Sequence, residues 1–319
     1  MDTTNSTIKG KAYEYACTLA TVDLVSPYRK VAVEENESYT IAKHRYVDEI
    51  TENERIDMLR SAKAGMQVII DMEPRIIEDG NDELNLSLQP DTAATKLGDI
   101  RDVLIIRRSI EWEIGISVKH NHAALKHSRL SQKIDFGKDW METPCSDTYF
   151  QEIKPIFDSL YTLKAQGVNW KDLPDKEGDV YVPLLKAFMR EFHRLQSADN
   201  AAAKLVKYLI GSNGRDYYKL IHNANHTTTV MPFNINGTLN QSANSAKPNI
   251  QYPVVDLPTR IIELDFKEES KTTIILTMNK GWSISLRIHN ASTKVEASLK
   301  FDIQLQSKPE DLYYVNVEW

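Results

Sequence analysis

The sequence predicts a mixed α/β protein of the α+β kind, and three observations carry that expectation. Apolar residues recur at helical spacing near the start and through the middle of the chain. Two apolar runs, Asp102–Arg107 and Glu111–Lys119, are separated by three residues and read as a strand hairpin. From Thr259 onward the hydrophobic period drops to two, the period that buries one face of a strand.

The first helix is expected over Lys11–Leu24, where Tyr15, Leu19 and Val22 share a face. A longer one is expected over Asn53–Glu78, because Thr51 and Glu54 have the spacing of a capping box; Pro74, which lacks an amide donor, bends or ends it. Arg108-Ser109-Ile110 joins the two hairpin strands, and His122–Leu130 reads as a basic helical segment. Asp147–Ala165, Val182–Gln196 and Ala201–Ile210 form a helical layer punctuated by Pro174 and Pro183. Met231–Pro258, rich in Asn, Ser, Pro and Gln, reads as a long irregular loop or a linker. Thr259–Phe266, Thr272–Met278, Trp282–His289 and Leu299–Leu305 follow as candidate strands, with Asn279-Lys280-Gly281 as the turn between the second and third. The composition shift divides the chain into residues 1–230, a core with a helical layer, and residues 231–319, a mainly antiparallel β region.

A chain of 319 residues with 41% hydrophobic and 26% charged residues is globular, which excludes disordered, collagenous and disulfide-scaffold classes. No run approaches the roughly 18 apolar residues of a membrane helix, and MDTTNSTIKG lacks the apolar stretch of a signal peptide. Cys17 and Cys145 stand far apart without zinc-site spacing, so a reducing cytoplasm is the expected compartment. With 39 Lys plus Arg against 45 Asp plus Glu, the net charge of -6 argues in bulk against a nucleic-acid partner. That charge is blocky, however. Acids crowd Glu34–Glu83, whereas Lys119–Lys138 carries Lys119, Lys126, Arg129, Lys133 and Lys138 against Asp135 alone. Salt confines the field of exposed charges to about 10 Å, so such a segment can hold phosphates on an acidic protein.

On the second hairpin strand Glu113, Gly115, Ser117 and Lys119 share one face. The hairpin sets Asp102 near the end where Ser117 and Lys119 emerge. An acid and a lysine side by side on a sheet suit metal-assisted phosphodiester hydrolysis, in which the carboxylate holds Mg²⁺ and the ammonium stabilises developing charge. Glu14, on the preceding helix, is the candidate second ligand, and the Val118 carbonyl a third. Ser117 stands where a further acid is expected, so either water or an acid from elsewhere, such as Asp135, completes the set. The same Asp-to-Lys spacing arises in any hairpin, and by itself it does not exclude a plain structural pair.

Longer blocks carry more. Gly10-Lys-Ala-Tyr-Glu-Tyr15, Gly98-Asp-Ile-Arg-Asp-Val-Leu-Ile-Ile-Arg107, Trp112-Glu-Ile-Gly-Ile-Ser-Val-Lys-His-Asn-His122, Lys126-His-Ser-Arg-Leu-Ser131 and Arg287-Ile-His-Asn-Ala-Ser-Thr-Lys-Val-Glu-Ala-Ser-Leu-Lys-Phe-Asp302 together resemble type II restriction endonucleases of the HaeIII family. The resemblance implies a PD-(D/E)xK restriction-endonuclease-like core, Mg²⁺ dependence and double-stranded DNA as substrate. It further implies the target GGCC, cut between G and C to leave blunt ends, and a partner cytosine methyltransferase that protects host DNA. On the superfamily pattern Asp102 takes the place of the central Asp, Lys119 of the Lys and Glu14 of the helix Glu. Arg101 replaces the Pro, and Ser117 replaces the acid two residues before the Lys.

Reading G·C pairs in the major groove calls for Arg or Lys on guanine and for acceptors on the cytosine amino group. Asn121, His122, Lys126 and Arg129, which follow the catalytic strand, are the expected DNA contacts, with Arg287 and His289 on the polar face of a C-terminal strand. A palindromic target favours a homodimer on DNA. Two rival readings stay open: a repair or junction-resolving nuclease on the same core, and a non-catalytic DNA-binding module with a degenerate site.

Overall fold

In the computed structural model, which describes residues 3–90, 98–121, 125–126, 128–212 and 214–319, the opening helix α1 (Thr3–Val25) starts upstream of Lys11. It buries a stripe of small and aromatic residues, Ala12, Tyr13, Ala16, Cys17 and Ala20. Strand β1 (Val31–Val33) leads into α2 (Glu37–His44), whose cap Asn36 accepts the Tyr39 amide at 2.9 Å. The next helix, α3 (Glu52–Met72), begins at the expected capping box: the Thr51 hydroxyl accepts the Glu54 amide at 3.3 Å, and the Glu54 carboxylate accepts the Thr51 amide at 2.9 Å. It stops at Glu73, because Pro74 opens a 3₁₀ turn rather than continuing the helix to Glu78. Gly65 lets α3 lie close on a sheet; a Cβ there would come within 2.7 Å of the Leu220 side chain.

Strands β2 (Leu84–Leu88), β3 (Val103–Arg107) and β4 (Trp112–His120) follow, the last two joined by a 3₁₀ turn at Arg108–Ile110 with Glu111 left-handed at φ 51°. The basic helix expected over His122–Leu130 is not found: residues 122–124 and 127 lie outside the described residues, and Ser128–Leu130 forms strand β5. The cause is period two, since Ser128 and Leu130 are buried while Arg129 is exposed. The helical layer is α4 (Phe136–Met141), α5 (Asp147–Ala165), α6 (Val182–Leu195) and α7 (Ala201–Leu209). Then come β6 (Tyr217–Asn223) and β7 (Thr227–Phe233), the four expected C-terminal strands β8 (Ile261–Phe266), β9 (Thr273–Met278), β10 (Ser283–His289) and β11 (Leu299–Ser307), and β12 (Val315–Glu318). Lys280 and Gly281, with φ of 59° and 76°, turn the chain between β9 and β10.

Two compact units result: Met1–Ala123 with Ser212–Val255 and Asp311–Trp319, and Ala124–Gly211 with Asp256–Glu310. This differs from a single division at residue 230, and the reason is strand pairing. In the first unit the sheet order is β1-β2-β3-β4-β6-β7-β12, so segments distant in sequence add to the hairpin strand β4. β4 and β6 run parallel, while β3 pairs antiparallel with both β2 and β4. In the second unit an antiparallel sheet, β5-β11-β10-β9-β8, carries an aromatic core in which Trp140 and Phe188 meet Phe301 and Phe136 packs on both of them. The stretch after β7 lacks strands, as expected, but it is no slack linker: Asp216 accepts the amides of Ile235, Asn236 and Thr238 at 2.8, 2.9 and 2.9 Å. Among the described residues no helix is long and apolar enough to cross a membrane.

Candidate active site

Asp102 sits at the entrance of β3 with its backbone pinned on both sides, its amide donating to Ile116 at 2.8 Å and its carbonyl accepting from Gln89 at 2.9 Å. Its side chain crosses to β4, where Oδ2 accepts the Val118 amide at 2.7 Å and the Lys119 Nζ at 3.3 Å. Both side chains remain about one-fifth exposed, 23% for Asp102 and 20% for Lys119, so the pair is reachable from solvent. The hairpin thus brings together the acid and the lysine that the sequence singles out.

Arg101, in the place of the superfamily proline, is buried and locked. It donates to Asp99 at 2.8 and 2.7 Å and to Glu113 at 2.7 Å. Its aliphatic stem lies over Gly115, where any Cβ would collide with the Arg101 Cδ. The residue before Asp102 is fixed here by an ion-pair network rather than by a ring.

Glu14 projects from α1, only 5% exposed, and accepts Lys11 Nζ at 3.0 Å. Burial first, and then the nearby charge of Asp102, pushes its carboxyl up to about 8, against the pull of Lys11 and Lys119. Two carboxylates that repel each other in a buried corner are a fitting hold for a hard divalent cation, which takes oxygen donors. Asp102 and Glu14 supply the carboxylate oxygens near one another here. Among the described residues no group of three or more His, Cys, Asp or Glu side chains is assembled to hold a metal. Asp135 is engaged elsewhere, capping α4 through the Lys138 amide at 2.9 Å and accepting the Cys145 amide at 3.0 Å.

Ser117 is fully buried, and its hydroxyl has no hydrogen-bond partner among the described residues. Directly across the parallel pair, in register with it, stands Lys219 on β6, 1% exposed. Lys219 therefore shares the face of Ser117 and Lys119. Burial, and next the charge of Lys119, depresses its proton affinity well below the usual lysine value, while Asp102 opposes the shift. This second lysine is not among the residues expected from the sequence, because its register with Ser117 is set by pairing between strands distant in the chain.

His120 stacks on His222 at 4.7 Å, and His222 on Trp319 at 5.1 Å. Burial pulls His222 down to about 4, so the central ring of this column is neutral near pH 7. Asn121 is exposed in a left-handed conformation, its amide donating to the His222 carbonyl at 2.8 Å. His122 lies outside the described residues. The other expected DNA contacts belong to the second unit. Lys126 is held over the Tyr208 ring, 3.6 Å from its centroid, and burial lowers it to about 8. Nδ1 of His289 donates to the Asn290 carbonyl at 2.9 Å. Arg129 and Arg287 are exposed on the polar face of the sheet.

Residues 10–309 match the HaeIII restriction endonuclease family. Over 313 residues, 97% of both chains, the sequence is 42% identical to the type II restriction enzyme HaeIII of Haemophilus aegyptius. No solved structure matches the chain. With a sheet-borne acid and lysine at its centre, the chain belongs to the HaeIII restriction endonuclease family and is a type II restriction enzyme.

Proposed function

We propose that the chain hydrolyses phosphodiester bonds in double-stranded DNA at GGCC, between G and C, with Mg²⁺ held by Asp102, Glu14 and the Val118 carbonyl. The observation that carries this reading is the double hold on Asp102 by the Val118 amide and Lys119. A bound divalent cation supplies charge neutralisation at the phosphate and a water of lowered pKa. The Val118 amide fixes the orientation of the Asp102 carboxylate. Lys119, partly exposed, stabilises negative charge gathering on the phosphate oxygens. Glu14, kept protonated near neutral pH by burial first and by the charge of Asp102 next, would release that proton in order to serve as a ligand. Asn121, His122, Lys126, Arg129, Arg287 and His289 each contact DNA. A palindrome presents two equivalent scissile bonds, so two copies act on it, and a cytosine methyltransferase guards the same sequence in the host.

Plasmid digestion with purified protein and Mg²⁺ tests the reading. Discrete fragments ending in GG and CC are expected. A smear, or cutting that follows junctions rather than sequence, would overturn the target; intact DNA with every divalent metal would overturn hydrolysis itself.

A further inference from the structure

The second unit's sheet has one apolar and one polar face, and the polar face is ordered by strand register. Arg129 pairs across to Lys300, and Lys300 to His289. In the next row Asp302 pairs to Arg287, and in the next Gln304 to Ser285. Directly paired residues share a face, so Arg129, Lys300, Arg287, Asp302 and Gln304 stand together on one rigid surface. The opposite face, with Leu286, Ile288, Phe301 and Ile303, is buried in the core.

Two features make this surface chemically specific. Arg129 and Lys300 are adjacent cations; burial and then Arg129 lower the proton affinity of Lys300, and Glu296 opposes the shift. Such a pair is suited to a phosphate. Beside it, Asp302 is a hub: its Oδ2 accepts Arg287 Nη2 at 3.3 Å and Gln304 Nε2 at 3.1 Å. Those bonds hold the Arg287 guanidinium while leaving its other N–H groups to point outward, since the side chain is 57% exposed. Among the described residues no bond falls on Asp302 Oδ1, which stays able to accept. A guanidinium fork and a carboxylate oxygen side by side match the major-groove edge of a G·C pair: Arg on guanine O6 and N7, the carboxylate on cytosine N4.

We propose that Arg287 and Asp302 together read one G·C pair of the target from the major groove, with Arg129 and Lys300 clamping the neighbouring phosphate. This rests on the reading of the chain as a sequence-specific nuclease and adds the residues that make it specific. Asp302 acts both on the base and as the positioning residue for Arg287. Gln304 holds Asp302 in turn.

Binding of the full chain, with Ca²⁺ in place of Mg²⁺, to a GGCC duplex and to single-substituted duplexes is the test. Arg287→Ala and Asp302→Asn are expected to erase about tenfold to a hundredfold of the discrimination between these duplexes. Replacing a target guanine by 7-deazaguanine should weaken the wild type and leave Arg287→Ala indifferent at that position. Arg129→Ala with Lys300→Ala should weaken every duplex alike and reduce the salt slope by about two. If both Arg287→Ala and Asp302→Asn, folded by circular dichroism, keep wild-type discrimination, the inference is overturned while the nuclease reading stands. Wild-type protein that binds all duplexes equally would overturn the reading on which it rests.

Discussion

Lys119 Nζ lies 3.3 Å from Asp102 Oδ2, the same oxygen that accepts the Val118 amide at 2.7 Å. One carboxylate oxygen is thus held by a fixed amide and a flexible cation, which leaves the cation free to change partner when a phosphate arrives.

Asp102→Asn and Lys119→Ala should each lower plasmid cleavage by about a hundredfold or more. Binding to a target duplex in a gel shift should persist. Cleavage at the wild-type rate by either variant would move the active site elsewhere.

Metal-free protein should lose stability as pH rises because of Glu14. Its carboxyl is lifted from the ordinary 4.5 to about 8, so within that window the folded chain keeps a proton that the unfolded chain has released. The stabilisation is complete below 4.5 and is lost as pH climbs through about 8. Thermal melts should therefore fall across the window, and Glu14→Gln should flatten the fall. Adding Mg²⁺ near neutral pH should release about one proton per chain, read with a pH indicator; silence there would remove Glu14 from the metal site.

Ser117→Ala should leave the melting temperature unchanged or raise it, because the buried hydroxyl has no partner among the described residues and desolvating such a group costs about 1–3 kcal/mol. A clear drop would reveal a bond through ordered water.

Lys219→Met should cut cleavage by about tenfold or more, because Lys219 shares the face of Ser117 and Lys119 and feels the charge of Asp102. Unchanged cleavage would make Lys219 a packing residue.

Gly115→Ala should destabilise the fold by about 1–3 kcal/mol, as an added methyl forces the locked Arg101 stem to move. Because Arg101 adjoins Asp102, cleavage should fall with it. A melt equal to wild type would show that the network gives way without loss.

The hairpin of Asp102 and Lys119 is legible in the sequence because its first strand is an unbroken apolar run and its second alternates apolar with polar or small residues, and the capping box at Thr51 announces α3 by itself. Glu14 could be singled out from its resemblance to a motif, though its closeness to Asp102 depends on how α1 packs, which no local pattern encodes. Lys219 was hidden for a different reason. Its importance lies in its register with Ser117, and pairing between strands so distant in sequence leaves no trace in either. The basic stretch before Leu130 misled because charge at helical spacing outweighed the short alternation of Ser128, Arg129 and Leu130. Composition likewise reports loops, whereas the compact units follow strand pairing.

The parallel pairing of β4 with β6 also bears on how the enzyme comes into being. Ser117 and Lys219 meet across on the order of a hundred intervening residues, and contacts of such separation form late and slowly. A nascent chain that has just completed its hairpin already possesses Asp102 and Lys119 but lacks the neighbouring strand against which β4 is set. A chain cut short before β6 therefore leaves β4 without its neighbour along the edge where Ser117 and Lys119 emerge.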